Sequence, residues 1–181
     1  MRVIAGQFKG RRLKAPSWDG LRPTSDKLRE TLFNILAPWI DGARVLDCFA
    51  GTGAVGVEAM SRGAAHVTFI ERDRRAVALI ESNLALCGAK QGYTIECGDV
   101  ASVLRSAQED AACDLVLLDP PYDLNPDTLR RVLEVAASRV TAEGLVVLER
   151  ASQREGVVPG ALSRVRDVMS GDSALTLFRR A

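Results

Sequence analysis

Histidine is nearly missing from this chain of 181 residues; His66 is the only one. It has no visible ligand partners in the sequence, so neither a zinc site nor a Ser-His-Asp triad is expected, and no metal is expected elsewhere. Cysteine is scarce as well. Cys48, Cys87, Cys97 and Cys113 show no C-x-x-C spacing, and the chain is too long for a small disulfide scaffold. Reduced cysteines acting as small apolar residues in or near strands are expected instead. No apolar run approaches the ~18 residues of a membrane span. Arg2, Lys9, Arg11 and Arg12 interrupt anything resembling a signal-peptide core, which makes a cytoplasmic protein the expectation. What is present is ordinary: 47% hydrophobic and 26% charged residues exclude disordered and fibrous classes. The length suits one domain with a short appendage.

The net charge is only +1, but its distribution is uneven. Residues 1–30 hold eight basic residues (Arg2, Lys9, Arg11, Arg12, Lys14, Arg22, Lys27, Arg29) against three acidic ones, Asp19, Asp26 and Glu30. A cationic appendage on a mildly acidic body is the footprint of a polyanion partner, although short basic arms are also often merely solvated.

Periodicity divides the chain into three parts. Residues 2–14 read as a short hairpin, with Gly6 and Gly10 as turn residues between Val3-Ile4 and Leu13. Leu28, Leu32, Ile35 and Leu36 recur at helical spacing, which predicts a helix over 25–37, capped by Thr24 or Ser25 and stopped by Pro38. From residue 43 onward strands alternate with helices. Strands are expected at 44–48, 66–70, 93–97, 115–118 and 145–148, with helices near 54–62, 73–87, 100–108 and 126–139. Two more strands, near 163–169 and 174–179, follow without an intervening helix and should form a hairpin. Short, wholly apolar strands such as Leu115-Val116-Leu117-Leu118 suit a sheet covered on both faces. The expected fold is a doubly wound, mostly parallel seven-stranded Rossmann-like α/β sheet with one antiparallel strand near its C-terminus. Ligands in such sheets sit beyond the carboxyl ends of the strands.

The first strand runs into Asp47-Cys48-Phe49-Ala50-Gly51-Thr52-Gly53-Ala54-Val55-Gly56. Formally this contains G-x-G-x-x-G, a weak match taken alone. Asp47 changes its meaning. A carboxylate four residues before Gly51 would repel a pyrophosphate but suits a ligand carrying an ammonium or sulfonium, and S-adenosylmethionine carries both. Glu71, after the second strand, is placed to accept ribose hydroxyls, and Asp99, after the third, an adenine amino group. Each acid could instead simply cap a helix.

The fourth strand runs into Asp119-Pro120-Pro121-Tyr122, the most specific signal in the chain. Consecutive prolines stiffen the loop and remove its N–H donors, so it should present a carboxylate and outward, unpaired carbonyls as fixed acceptors. Two such acceptors match the two hydrogens of an exocyclic amino group. Tyr122 offers a face on which an extruded base can stack. Hydrogen bonds from the amine to Asp119 and the Pro120 carbonyl would aim its lone pair at a methyl donor.

Asp-Pro-Pro-Tyr resembles the (Asn/Asp)-Pro-Pro-(Tyr/Phe) motif of amino-methyltransferases. Arg2-Val3-Ile4, Lys9-Gly10-Arg11-Arg12-Leu13, Leu21-Arg22-Pro23-Thr24-Ser25-Asp26, Arg29-Glu30-Thr31-Leu32-Phe33-Asn34 and Leu46-Asp47-Cys48-Phe49-Ala50-Gly51-Thr52-Gly53 together resemble the RsmD family over nearly the whole chain. The resemblance implies a class I, S-adenosyl-L-methionine-dependent enzyme that methylates guanine N2 in bacterial 16S rRNA. Its partner would be the small ribosomal subunit or an assembly intermediate, with the enzyme monomeric. It further implies a basic arm at 1–24 and a methyltransferase domain at 25–181. By resemblance the cofactor would be held by Asp47, Phe49, Ala50, Gly51, Thr52, Gly53, Glu71, Arg72, Asp99 and Val100. Asp119, Pro120, Pro121 and Tyr122 would form the catalytic loop. RNA or the target base would meet Arg2, Lys9, Arg11, Arg12, Lys14, Arg22, Thr24, Asp26 and Arg29. Ser170-Gly171-Asp172-Ser173 only partly matches the family's Tyr-Gly-Asp-Thr, and no role is carried onto it. Competing readings are an adenine-N6 DNA methyltransferase, an RNA-binding assembly factor with a vestigial cofactor site, and, weakest, a nicotinamide enzyme.

Overall fold

The computed structural model describes residues 1–18, 24–106, 112–153 and 157–181. The helix expected over 25–37 is α1 (Asp26–Leu36), started by the Ser25 hydroxyl, which accepts the Leu28 N–H. Its apolar stripe buries Leu28, Leu32, Phe33 and Leu36, each side chain contributing about 1.5–3 kcal/mol. Beyond it the chain alternates β1 (Arg44–Cys48), α2 (Ala54–Ser61), β2 (His66–Glu71), α3 (Arg74–Cys87), β3 (Tyr93–Cys97), α4 (Val100–Ser106), β4 (Cys113–Leu118), α5 (Pro126–Arg139) and β5 (Val140–Ala151). A closing hairpin of β6 (Leu162–Ser170) and β7 (Ser173–Arg180) completes one seven-stranded sheet, ordered β3-β2-β1-β4-β5-β7-β6. The pairs β1–β2, β1–β4, β2–β3 and β4–β5 are parallel, and β7 runs antiparallel to both neighbours.

Alternate residues of the central strands feed two cores. Val45, Phe69, Leu115, Leu117 and Val147 face α1, α2 and α3, whereas Cys48, Ile70, Val116, Leu118 and Leu148 face α4 and α5. Burial of both faces explains why these strands read as unbroken apolar runs. Helix α2 is buried on every side, consistent with its position between the sheet and the N-terminal segment.

β5 is longer than the expected 145–148 at both ends. Before it, Gly144 lies where a Cβ would come within 2.6 Å of the Asp114 carbonyl, at an irregularity in the β4–β5 register. Beyond it, Glu149, Arg150 and Ala151 continue the strand against Leu175, Ala174 and Ser173 of β7. Two adjacent charges end the apolar pattern there, but the backbone ladder continues.

The expected hairpin at 2–14 is a single bridge between Arg2 and Arg12, flanked by Val3 N–H to the Arg11 carbonyl (2.9 Å) and Gly10 N–H to the Val3 carbonyl (2.9 Å). Side chains of α2 and α3 help to tie it to the body. The buried Glu58 carboxylate accepts the N–H groups of Ile4 (2.8 Å) and Ala5 (3.0 Å) and the Arg62 Nε–H (2.8 Å). Asn83, also fully buried, accepts the Lys14 N–H (2.8 Å) and donates to the Thr52 carbonyl (2.9 Å), joining the segment to the glycine turn.

The cysteines are free. Cys48 and Cys113 are buried in β1 and β4, Cys97 is exposed at the end of β3, and Cys87 ends a helix, α3, rather than a strand. Burial pushes the Cys113 thiol up to about 12, so it stays protonated and apolar. The His66 ring meets the Thr94 hydroxyl on β3 (3.0 Å), and burial together with Arg44 lowers its pKa. No helix among the described residues is long and apolar enough to cross a membrane.

Candidate active site

The strand order reverses between β1 and β4, and both carboxyl ends there carry an acid: Asp47 is the penultimate residue of β1, and Asp119 immediately follows β4. A crevice opens outside such a switch point. Here it is a cavity of about 620 Å³, lined by Asp47, Phe49, Ala50, Gly51, Thr52, Glu71, Arg72, Asp99, Val100, Asp119, Pro120, Pro121 and Tyr122, with Thr24 at its edge. One cavity therefore gathers the expected catalytic loop and every expected cofactor residue except Gly53, which caps α2 instead.

The turn after β1 is built from unusual backbone conformations. Gly51 and Gly53 sit at φ of +55° and +72°, and Phe49, between strand and turn, is the only described non-glycine residue with positive φ, +61°. Such a conformation is strained for a bulky side chain and clusters at functional sites. Gly56 is required for packing: a Cβ there would meet the Phe69 ring at 2.2 Å and Asp47 Oδ2 at 2.8 Å.

Asp47 is 3% exposed, and its Oδ2 accepts the Gly56 N–H (2.8 Å) in the first turn of α2. Burial pushes its carboxyl from an ordinary 3.8 up to about 8; the Gly56 bond opposes the rise, and the nearby Asp119 and Glu71 carboxylates add to it. Asp47 thus caps a helix, yet the rise marks it as a buried acid whose charge an adjacent cation would restore. Glu71 Oε2 accepts the Gly51 N–H (2.9 Å) and its Oε1 the Asp73 N–H (2.8 Å), so this acid shapes the turn from the neighbouring strand. Asp99 Oδ1 accepts both the N–H (3.0 Å) and the hydroxyl (2.9 Å) of Ser102 at the start of α4. All three acids serve helix starts or turns and line the cavity at once.

At the other wall, the Thr24 hydroxyl donates to Asp119 Oδ2 (2.9 Å) and fixes that half-buried carboxylate. The double-proline loop differs from expectation in one respect. The Pro121 carbonyl is not outward and unpaired; it accepts the Leu124 N–H (3.0 Å) and closes a turn. Asp119 and Pro120 both line the cavity. Tyr122 is 38% exposed and lines the cavity.

Of the residues expected to meet RNA, Arg2, Lys9, Arg11, Arg12 and Lys14 are exposed, the Lys14 ammonium donating to the Ser82 hydroxyl (2.8 Å). Arg22 lies outside the described residues. Arg29 is placed differently: its side chain is fully buried and donates to the Arg2 carbonyl (2.6 Å) and Asp26 Oδ1 (2.9 Å), so it props the N-terminal segment and shows no atom to a phosphate. Asp26, engaged by Arg29, is not part of the cavity wall.

Five further wall residues were given no role from the sequence. Trp18 lies under the Arg75 guanidinium (5.0 Å to the ring centroid), which is itself paired with Asp73 (2.7 Å). Ser173 and Glu149 reach the wall from β7 and β5; the Ser173 hydroxyl meets the Tyr122 hydroxyl (3.4 Å) and donates to Glu149 Oε1 (3.2 Å). The partial match at Ser170–Ser173 hid this role, and only the extension of β5 and its pairing with β7 reveals it.

The family described as conserved hypothetical protein 95 matches residues 1–179. Ribosomal RNA small subunit methyltransferase D of Escherichia coli (strain K12) is 37% identical over 187 residues, covering 99% of this chain and 90% of the relative. This chain belongs to the RsmD family of methyltransferases. The same-named protein of Haemophilus influenzae is 32% identical, covering 99% of this chain and 93% of its own. Among solved structures, yhhF from Escherichia coli superposes with a TM-score of 0.84 at 38% identity, covering 99% of this chain and 97% of the other. A Thermus thermophilus protein does so at 0.81 and 30%, covering 98% of each. The RsmD-family chain therefore shares the class I methyltransferase fold, with its acids at the same sheet edge on which the fold places ligands.

Proposed function

We propose that this chain transfers a methyl group from S-adenosyl-L-methionine to the exocyclic N2 amine of a guanine in 16S rRNA. It would act on the small ribosomal subunit or its assembly intermediate, as a cytoplasmic monomer. One observation carries the reading: the Asp47–Gly51 turn and the Asp119–Tyr122 loop end neighbouring strands and line one cavity. The small-subunit rRNA substrate is supported by the names of the Escherichia coli and Haemophilus influenzae relatives.

The cavity fits the cofactor on the chemistry of its acids. Asp47, held up to about 8 by burial, would regain its charge beside an ammonium or sulfonium. Glu71 and Asp99 each keep acceptor capacity after their backbone bonds, since a carboxylate offers about four lone-pair sites. Phe49, Ala50, Thr52, Arg72 and Val100 would complete the wall. When bound, S-adenosylmethionine supplies an electrophilic methyl group on sulfur.

This chain's residues would do the rest. Asp119 and the Pro120 carbonyl accept the two amine hydrogens, raising electron density on a nitrogen whose lone pair is otherwise delocalised into the ring. Thr24 holds the Asp119 carboxylate still, and a group locked in productive geometry is worth more than a mobile one. Tyr122 stacks the extruded base. The amine becomes strongly acidic only once methylated, so Asp119 takes its proton without being a strong base. The exposed Arg2, Lys9, Arg11 and Arg12 would neutralise phosphates, with residues 1–24 serving as an RNA-contacting arm on the catalytic domain at 25–181. The test is transfer of labelled methyl to small subunits that lack the modification, with the product nucleoside identified by mass spectrometry. N2-methylguanosine is expected; N6-methyladenosine, or no incorporation on naked RNA and assembled particles alike, would overturn the proposal.

A further inference from the structure

Asp119 and Glu149 are lateral neighbours: Leu118 of β4 pairs in parallel register with Leu148 of β5, and one acid follows each. Parallel strands lie about 4.8 Å apart, so the two acids leave neighbouring strand ends, and both line the cavity. Asp119 is used by the chemistry proposed above; Glu149 is not. The Ser173 hydroxyl donates to Glu149 Oε1 (3.2 Å), which commits its hydrogen, so at the 3.4 Å contact the Tyr122 hydroxyl is the donor to Ser173 Oγ. One serine thereby ties the exposed ring of the catalytic loop to the half-buried carboxylate of β5.

We propose that Glu149 selects guanine as the target base, its carboxylate accepting the N1–H that guanine carries and adenine lacks. This rests on the reading of the cavity as a guanine-N2 methyltransferase site. Guanine presents N1–H and N2–H2 as adjacent donors on its Watson–Crick edge. An ionised carboxylate is an acceptor only, so two carboxylates one strand apart match two adjacent donors. Adenine would turn the lone pair of its unprotonated N1 towards Glu149, and the site's acceptor would be left unpaired. The Ser173 hydroxyl is one donor to this carboxylate, and a carboxylate offers roughly four lone-pair sites to N–H and O–H donors. Ser173 fixes the rotamer of Glu149, and the base that stacks on Tyr122 is thereby presented edge-on to it.

The experiment begins by mapping the nucleotide that the wild-type enzyme methylates. That nucleotide is then replaced, by splinted ligation, with 2-aminopurine, which keeps the 2-amino group but has no N1–H and no O6. Wild-type enzyme is expected to prefer the guanine substrate in kcat/KM by roughly 5- to 150-fold, the discrimination of one good base-edge contact. Glu149→Gln can donate to an unprotonated N1, so its preference should fall to within about threefold. Binding of S-adenosylhomocysteine, measured by calorimetry, should be unchanged in the variant. Equal turnover of both substrates by wild-type enzyme, or an unaltered ratio in Glu149→Gln, would overturn the inference. If the variant fails to bind S-adenosylhomocysteine, the wild-type ratio alone decides. If wild-type enzyme forms no N2-methylguanosine, the proposed function falls first and this inference with it, a result distinct from an unaltered ratio.

Discussion

Replacing Asp47 by asparagine should make the ligand-free protein more stable and the enzyme worse. The wild-type carboxyl is pushed up to about 8 when folded, against an ordinary 3.8. A folded pKa above the unfolded one means that the folded state binds more protons between those values. Stability from this group is therefore complete below pH ~4 and is lost as pH rises through 8. At pH 7.5 the loss has a ceiling of about 5 kcal/mol, since each pH unit above the unfolded pKa removes about 1.36 kcal/mol. The oxygen of the substituted amide could still accept the Gly56 N–H, and its NH2 would face Asp119 and Glu71, but it carries no charge to desolvate. After allowance for imperfect pairing of that amide, a gain of about 2 kcal/mol is expected, or roughly 4–8 °C in Tm for a protein of this size. Thermal unfolding without ligand at pH 5 and pH 8 reads the effect: wild type should lose stability over that interval more steeply than Asp47→Asn. Calorimetry reads the other side. Affinity of the wild type for S-adenosylhomocysteine should rise towards pH 8, by up to about tenfold per pH unit, as the carboxyl ionises beside the ligand ammonium. In Asp47→Asn the affinity should be weaker and less dependent on pH. A variant no more stable than wild type at pH 8, with the same affinity profile, would refute this electrostatic reasoning.

Asp119→Ala should reduce methyl transfer by about 100-fold or more while S-adenosylhomocysteine binding stays near wild type; weakened cofactor binding would move Asp119 out of its role. Glu58→Ala leaves the partly buried Ile4 and Ala5 N–H groups without their acceptor, so a loss of about 1–3 kcal/mol is expected, visible as a lower Tm and faster proteolysis at the N-terminal segment. RNA affinity should fall steeply with salt, and the paired change Arg11→Ala, Arg12→Ala should make the slope of log K against log[salt] shallower by about 1–2. Arg29→Ala should instead lower Tm, because its guanidinium supports Arg2 from inside the fold.

The sequence carries information unevenly, and the physical reasons differ from place to place. The expected strands at 44–48 and 93–97 coincide with β1 and β3, and the Asp119 loop and glycine turn line one cavity as their motifs imply. Those features are local: apolar runs, glycine conformations and proline stiffness act within a few residues. The polar groups that join distant segments were not legible. Glu58 and Asn83 look like ordinary helix-surface residues, yet each is fully buried and bonded to the N-terminal segment. Arg29 looks like one more cation in a basic arm, and only the packing of α1 against that arm shows that it faces inward. Glu149 sits at the end of an apolar strand where charge normally signals departure from the core; its place beside Asp119 depends on register with β4.

The most direct measurement is the position of the sulfur in a crystal structure with S-adenosylhomocysteine bound. It should lie inside the cavity, between the turn holding Asp47 and Gly51 and the loop holding Asp119 and Pro120, facing the acceptor pair. A sulfur outside that cavity, or turned away from Asp119 with the Tyr122 ring screened from it, would contradict the assignment of this loop to methyl transfer.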